Sequence, residues 1–121
     1  MTRNNKSSED YLETIYLLSQ KLPVVRSIDI AAELNFSKPS VSVAMKKLRE
    51  SEHITVTPQG YIYLTETGKE VANKIYERHL LLSSWLERLG VSPEVAAEDA
   101  CRMEHVISTE SFEALKRHIA R

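Results

Sequence analysis

Leu12, Ile15, Tyr16 and Ser19 recur at a helical period until Leu22-Pro23 interrupts it, so the chain opens on an amphipathic helix, with Ser7 or Ser8 expected as its cap and Glu9 and Asp10 in its first turn. A second, short helix begins at Ser27, carries Ile28, Ala31 and Ala32, and closes at Leu34-Asn35-Phe36, where Asn35 suits a left-handed turn. Ser37 caps a third helix with Pro39 in its first turn, where a missing amide hydrogen costs nothing. Its apolar positions are Val41, Ala44, Met45 and Leu48; Lys38, Ser40, Ser42, Val43, Lys46, Lys47 and Arg49 fall outside.

The period then changes. His53 to Thr57 and Tyr61 to Leu64 alternate apolar and polar residues around Pro58-Gln59-Gly60, which predicts a two-stranded hairpin. Helical periodicity returns from Thr65 to Gly90, with Val71, Ile75, Leu82, Leu86 and Leu89 on one stripe and His79 on it too, four after Ile75. Leu80-Leu81-Leu82 and Trp85 spread apolar surface around more of that helix than one packed face requires, which predicts burial against a second subunit. Ser92-Pro93-Glu94 starts a fifth helix expected to end near Val106, and Ser108 caps a last one built on Phe112, Leu115 and Ile119.

Helix, turn, helix, hairpin is the order of a winged helix, whose second helix enters the DNA major groove. The predicted fold is therefore mainly α: an N-terminal winged helix-turn-helix with a two-stranded wing over residues 1–66, then an all-helical lobe over residues 67–121. Small hydroxyl residues near the start of the third helix allow close approach to base edges, and the cations further along neutralise phosphates. An amphipathic helix with a solvated basic face would show the same pattern. Thr55, Thr57, Gln59 and Tyr61 are the wing residues expected to reach a phosphate backbone.

Composition changes this picture little. At 121 residues, 42% hydrophobic and 27% charged, the chain can bury one core or two small lobes. Its net charge of −1 does not mark a nucleic-acid binder, so DNA affinity has to come from a local patch. No apolar run approaches the roughly 20 residues of a membrane span and no signal peptide is evident, so a cytoplasmic protein is expected. A lone cysteine, Cys101, forms no internal disulfide and is left for metal or redox chemistry.

The candidate chemistry centres on Cys101, Glu104 and His105, which share a face if the fifth helix runs through them. A sulfur, a carboxylate and an imidazole make half of a transition-metal site. Asp10, Glu13 and His79 are candidates for the rest. Each also has a plainer reading: dipole stabilisation for Asp10, a solvated face for Glu13, a packed core residue for His79. The residues alone leave these alternatives open. His53 and His118 have no ligand pattern around them and read as structural or exposed.

Several stretches, in this order, resemble one family: Ser8-Glu9-Asp10-Tyr11-Leu12-Glu13-Thr14-Ile15-Tyr16, Pro39-Ser40-Val41-Ser42, Leu64-Thr65-Glu66-Thr67-Gly68, Arg78-His79 and Ala100-Cys101-Arg102-Met103-Glu104-His105-Val106. Together they are similar to the diphtheria toxin repressor and manganese transport regulator family of metal-dependent transcriptional repressors. The resemblance implies a metal site at Asp10, Glu13, His79, Cys101, Glu104 and His105, and DNA contacts at Ser37, Pro39, Ser40 and Ser42. Lys46 and Lys47 are added as phosphate neutralisers from their place on the same helix. The ligand set is a hybrid: Asp10 and Glu13 look like the manganese branch, Cys101 like the iron branch. Ser83 and Ala97 stand where the iron branch has ancillary ligands, and Val43 where it has a polar base-contacting residue. The implied cofactor is Fe(II) or Mn(II), one or two ions per chain, since oxygen and imidazole donors suit both and a thiolate moves preference toward Fe(II), Zn(II) or Co(II).

The implied function is a metal-dependent repressor, not an enzyme, acting as a homodimer on palindromic operator DNA near metal-homeostasis genes, with no membrane and no small organic substrate. Metal acts as a clasp in this reading, relieving repulsion among carboxylates and tying helix 1 to the helical lobe that dimerises and binds metal. A winged-helix regulator answering to an organic effector would share the DNA-binding lobe but needs an apolar pocket instead of converging ligands. A metallohydrolase needs an open coordination position and a poised base. The sequence contains no HExxH motif, glycine-rich phosphate loop or nucleophile elbow.

Overall fold

The structure, a computed structural model, describes residues 5–120, with side chains from residue 8 onward. Six helices and one hairpin follow in the order α1 (Asn5–Ser19), α2 (Ser27–Leu34), α3 (Lys38–Glu50), β1 (Ile54–Val56), β2 (Ile62–Leu64), α4 (Glu66–Arg88), α5 (Pro93–Met103) and α6 (Thr109–Ile119). The chain divides into two compact units, one ending at Asn73 and the other beginning at Lys74. It is the mainly helical, winged-helix architecture read from the sequence, followed by helices alone.

In the first unit α1, α2 and α3 pack around a core in which Leu12, Ile15, Ile30, Val41, Met45 and Leu48 are buried, joined by Ile54 and Ile62 from the wing and Ala72 from α4. Each fully buried aliphatic side chain of this kind contributes about 1.5 to 3 kcal/mol by leaving water. α1 begins at Asn5, so Ser7 and Ser8 lie inside the helix and do not cap it. On α2 the buried residues are Ile30 and Ala31, while Ile28 is exposed. Its start is fixed by Arg26, whose backbone N–H donates to the Asp29 carboxylate at 2.9 Å, in place of a serine cap. Asn35 takes the left-handed conformation at φ 58° and turns the chain into α3.

The wing is antiparallel, with Ile54 opposite Leu64, Thr55 opposite Tyr63 and Val56 opposite Ile62. Ile54 and Ile62 face the core and Thr55 and Tyr63 face outward, as a period of two requires. Ile62 N–H also donates to Val25 O at 2.8 Å, holding the inner strand against the segment before α2. At the tip, Gly60 has φ +87° and donates to Thr57 O at 2.8 Å. At the root, Thr65 Oγ1 accepts from Gly68 N–H at 3.1 Å and donates to Glu52 O at 2.7 Å. A Cβ on Gly68 would stand 2.1 Å from the His53 carbonyl oxygen, so only glycine fits where α4 starts against β1.

In the second unit Ile75, Leu82, Ala96, Ala100 and Phe112 are buried. Both helices that start in this unit have serine caps: Ser92 accepts from Val95 N–H at 3.4 Å and Ser108 from Ser111 N–H at 3.0 Å. Gly90, at φ +102°, lies just past the end of α4. Leu80, Leu89, Val95 and Val106 remain exposed on this unit. Among the described residues, no helix is long and apolar enough to cross a membrane.

Candidate metal centre and nucleic-acid interface

Glu104 is the centre of the second unit's chemistry. Its residue is fully buried, and a buried carboxylate is costly unless charged or hydrogen-bonding partners surround it. Oε1 lies 2.9 Å from His79 Nδ1, and Oε2 lies 3.3 Å from His105 Nε2. Ligand atoms of Cys101, Glu104 and His105 all lie within 4.8 Å of one another. Two imidazoles, a carboxylate and a sulfur therefore converge, supplied by α4, α5 and the turn after it.

That turn corrects the sequence reading in one respect. α5 ends at Met103 and not near Val106, so Cys101 is on the helix, Glu104 is its C-terminal cap and His105 belongs to the turn that follows. Glu104 keeps helical dihedrals, φ −61° and ψ −23°, and its N–H still donates to Ala100 O at 2.9 Å. The convergence survives because the first residue past the helix continues its path.

The turn is braced from α4. Arg78, itself buried, donates through Nη1 to Glu104 O at 3.1 Å and to Ile107 O at 2.8 Å, and through Nη2 to Thr109 Oγ1 at 3.3 Å. Its guanidinium also lies 5.3 Å from the centre of the Phe112 ring. Sequence reasoning attached no role to Arg78 beyond its place beside His79. The signal was a cation on the apolar stripe itself, three residues after Ile75 and four before Leu82, with partners 26 to 31 positions away.

The donor set fits a divalent transition ion. Ligand atoms at right angles around an ion about 2.1 Å away stand about 3 Å apart, and the two carboxylate–imidazole separations bracket that spacing. Oxygen and nitrogen donors suit Mn(II) and Fe(II), and sulfur draws the preference toward softer ions. In the first unit, Asp10 and Glu13 sit three residues apart on α1, each half-buried. Ser83 is half-buried on α4 with its hydroxyl turned to Leu80 O, and Ala97 is exposed on α5.

On α3 the structure exposes Ser37, Pro39, Ser40, Ser42, Lys46 and Lys47 together, with Lys38 and Val43 between them. Ser37 Oγ accepts from Ser40 N–H at 3.3 Å and donates to Ser40 Oγ at 3.0 Å, so the cap and the first hydroxyl on the face hold one another. The wing residues divide. Thr55 and Gln59 are exposed, whereas Thr57 Oγ1 is engaged by Tyr61 N–H at 3.0 Å. Tyr61 is half-buried beneath Arg26, whose Cζ lies 4.9 Å from the ring centre and whose Nη2 reaches the phenol oxygen at 3.4 Å. Arg26 is thus an exposed cation at the wing that sequence periodicity did not single out. His53 bonds Ser51 at 2.7 Å through Nδ1, and His118 is exposed in the last turn of α6.

Residues 5–61 match the family described as iron dependent repressor, N-terminal DNA binding domain, and residues 65–121 match iron dependent repressor, metal binding and dimerisation domain. The transcriptional regulator MntR of Escherichia coli is 37% identical over 108 residues, covering 89% of this chain and 70% of the relative. An HTH-type transcriptional regulator of Methanocaldococcus jannaschii is 37% identical over 114 residues, covering 93% of this chain and 91% of the relative. Among solved structures, the manganese regulator SloR superposes with a TM-score of 0.83 at 30% identity over 93% of this chain, and the chain spans 53% of that structure's length. With these relatives, the caged Glu104 and the winged helix lead to one conclusion: the chain belongs to the iron-dependent repressor family, that of the diphtheria toxin repressor and the manganese transport regulators, which are metal-dependent transcriptional repressors and not enzymes.

Proposed function

We propose that this chain is a repressor that senses Fe(II) or Mn(II) and controls metal-homeostasis genes, with Asp10 and Glu13 of α1 joining His79, Cys101, Glu104 and His105 around one or two ions. The observation that carries the reading is Glu104: a fully buried carboxylate whose two oxygens face two imidazoles. A divalent cation supplies the positive charge that such a cluster of donors attracts, and ties α1, part of the DNA-binding unit, to the helical unit. Cys101 enters as the deprotonated sulfur, which makes the site dependent on the redox state of that residue.

DNA binding follows from the α3 face. Ser37, Pro39, Ser40 and Ser42 present small groups to base edges, Val43 offers apolar contact to a thymine methyl, and Lys46 and Lys47 take phosphates. Arg26 adds a third cation beside the wing. The exposed Leu80, Leu89, Val95 and Val106 supply apolar surface for a second copy of the chain. In such a homodimer the two α3 helices read a palindromic operator when they stand about 34 Å apart, or a multiple of it. Metal then governs DNA affinity by fixing that spacing, with a coupling of about 1 to 3 kcal/mol per linked site. The place of action is the cytoplasm.

The test is an anaerobic titration of operator binding with Fe(II) and, separately, Mn(II), each reversed by chelator. Binding that rises with one ion and collapses on chelation is the expected result. Operator affinity indifferent to both ions and to chelator would remove the metal switch and leave a DNA-binding fold.

A further inference from the structure

Resting on the metal reading above, the geometry points to Arg78 as the positioning residue of the metal centre, the group that sets where Glu104 and His105 stand without touching the ion. Three acceptors converge on its guanidinium: Glu104 O, Ile107 O and Thr109 Oγ1. The first belongs to the residue whose carboxylate faces both imidazoles. The others belong to the turn and to the first residue of α6.

Three arguments select Arg78 over a general packing role. Glu104 and His105 lie where α5 has ended, and the bonds that close the turn, Val106 N–H and Ile107 N–H to Met103 O at 3.1 Å each, do not involve the Glu104 and Ile107 carbonyls, which Arg78 holds from α4. Glu104 O lies at the negative end of the α5 dipole, which a buried cation complements. A planar guanidinium spreads its donors over two terminal nitrogens in fixed directions and so reaches two carbonyls and a hydroxyl; a lysine ammonium has the charge but bonds from a single point. Arg78 also spans from the metal-binding turn to α6, through Thr109 and the face of Phe112. Ion occupancy at Glu104 and the order of α6 are therefore linked through one side chain.

Mn(II) affinity and the Co(II) absorption spectrum of the full chain, read by anaerobic titration, test this, with amide hydrogen exchange over residues 104–112 as a second readout. Arg78→Met is expected to weaken Mn(II) binding by about 10- to 100-fold, the usual loss when a supporting partner of a ligand is removed, and to abolish the slowing of exchange that metal produces in α6 of the wild type. Phe112→Leu leaves all three hydrogen bonds in place; it is expected to lower the melting temperature while keeping Mn(II) affinity within threefold. Equal losses of affinity in these two variants would make Arg78 a stability residue and overturn the assignment. Should Arg78→Met not fold, Arg78→Lys takes its place, and wild-type affinity there would overturn the assignment equally. A wild-type chain that takes up neither Mn(II) nor Co(II) defeats the metal reading itself, whereas wild-type binding with an unaffected Arg78→Met defeats only the role given to Arg78.

Discussion

His79 Nδ1 and Glu104 Oε1 stand 2.9 Å apart, linking the second half of α4 to the C-terminal cap of α5. The pair brings together two segments 25 residues apart in sequence. Glu104→Gln keeps the shape of this contact and removes the charge. Mn(II) affinity is expected to fall by more than about tenfold, and His79→Ala should do the same with the fold retained in far-ultraviolet circular dichroism. Unfolding of both variants would instead mark the two as core residues.

Cys101 should make the centre sensitive to oxidation. Peroxide converts an accessible thiolate to sulfenic and then sulfinic acid, which replaces a soft donor with oxygen. Treated protein is expected to lose Fe(II) affinity, and Cys101→Ser to resist that change while starting from weaker binding. Isothermal titration before and after peroxide decides it; identical isotherms remove Cys101 from the ligand set.

Lys46 and Lys47 are assigned to phosphates, not bases. Replacing either with alanine should weaken binding to all sequences alike and flatten the dependence of log K on log salt by about 1. Fluorescence anisotropy at several salt concentrations gives the slope. A changed sequence preference with an unchanged slope would move these residues to base readout.

Ile15 is buried in the core of the DNA-binding unit. Ile15→Ala is expected to cost about 2 to 5 kcal/mol, the range for emptying such a site, in urea unfolding monitored on that unit. A cost under half a kilocalorie would mean that α1 is not integral to the core.

Gly68→Ala is the severest small change available. The new methyl would meet the His53 carbonyl oxygen at 2.1 Å, and backbone cannot swing aside as a side chain does. About 1 to 3 kcal/mol of overpacking strain is expected, visible as a lower melting temperature. A wild-type melting temperature would show that the wing can shift at its base.

Much of the fold was legible because the helix ends carry their own chemistry. Ser37 before Pro39, Asn35 in the turn, Ser92-Pro93 and Ser108 each set a boundary by local hydrogen bonding, and the structure keeps all of them. α1 had no such marker at Ser7 or Ser8, since it begins upstream at Asn5. The inward face of α2 also differs from the expectation: Ile30, Ala31 and Leu34, at helical spacing, pack toward the core, and Ile28 lies outside. In the second unit the convergence of Cys101, Glu104 and His105 was visible from spacing, but the end of α5 at Met103 was not, because Glu104 keeps helical dihedrals. The guanidinium contacts of Arg78 and Arg26 escaped notice for one physical reason. Their partners lie 26 to 35 positions away, beyond what any local period encodes.

The contact at Gly68 fastens the hairpin at its root, while Pro58 and Gln59 at its tip stay exposed. Residues at the tip can therefore be exchanged without disturbing the framework. Drift at the root has no such freedom, since even one added carbon there prises the hairpin from the long helix.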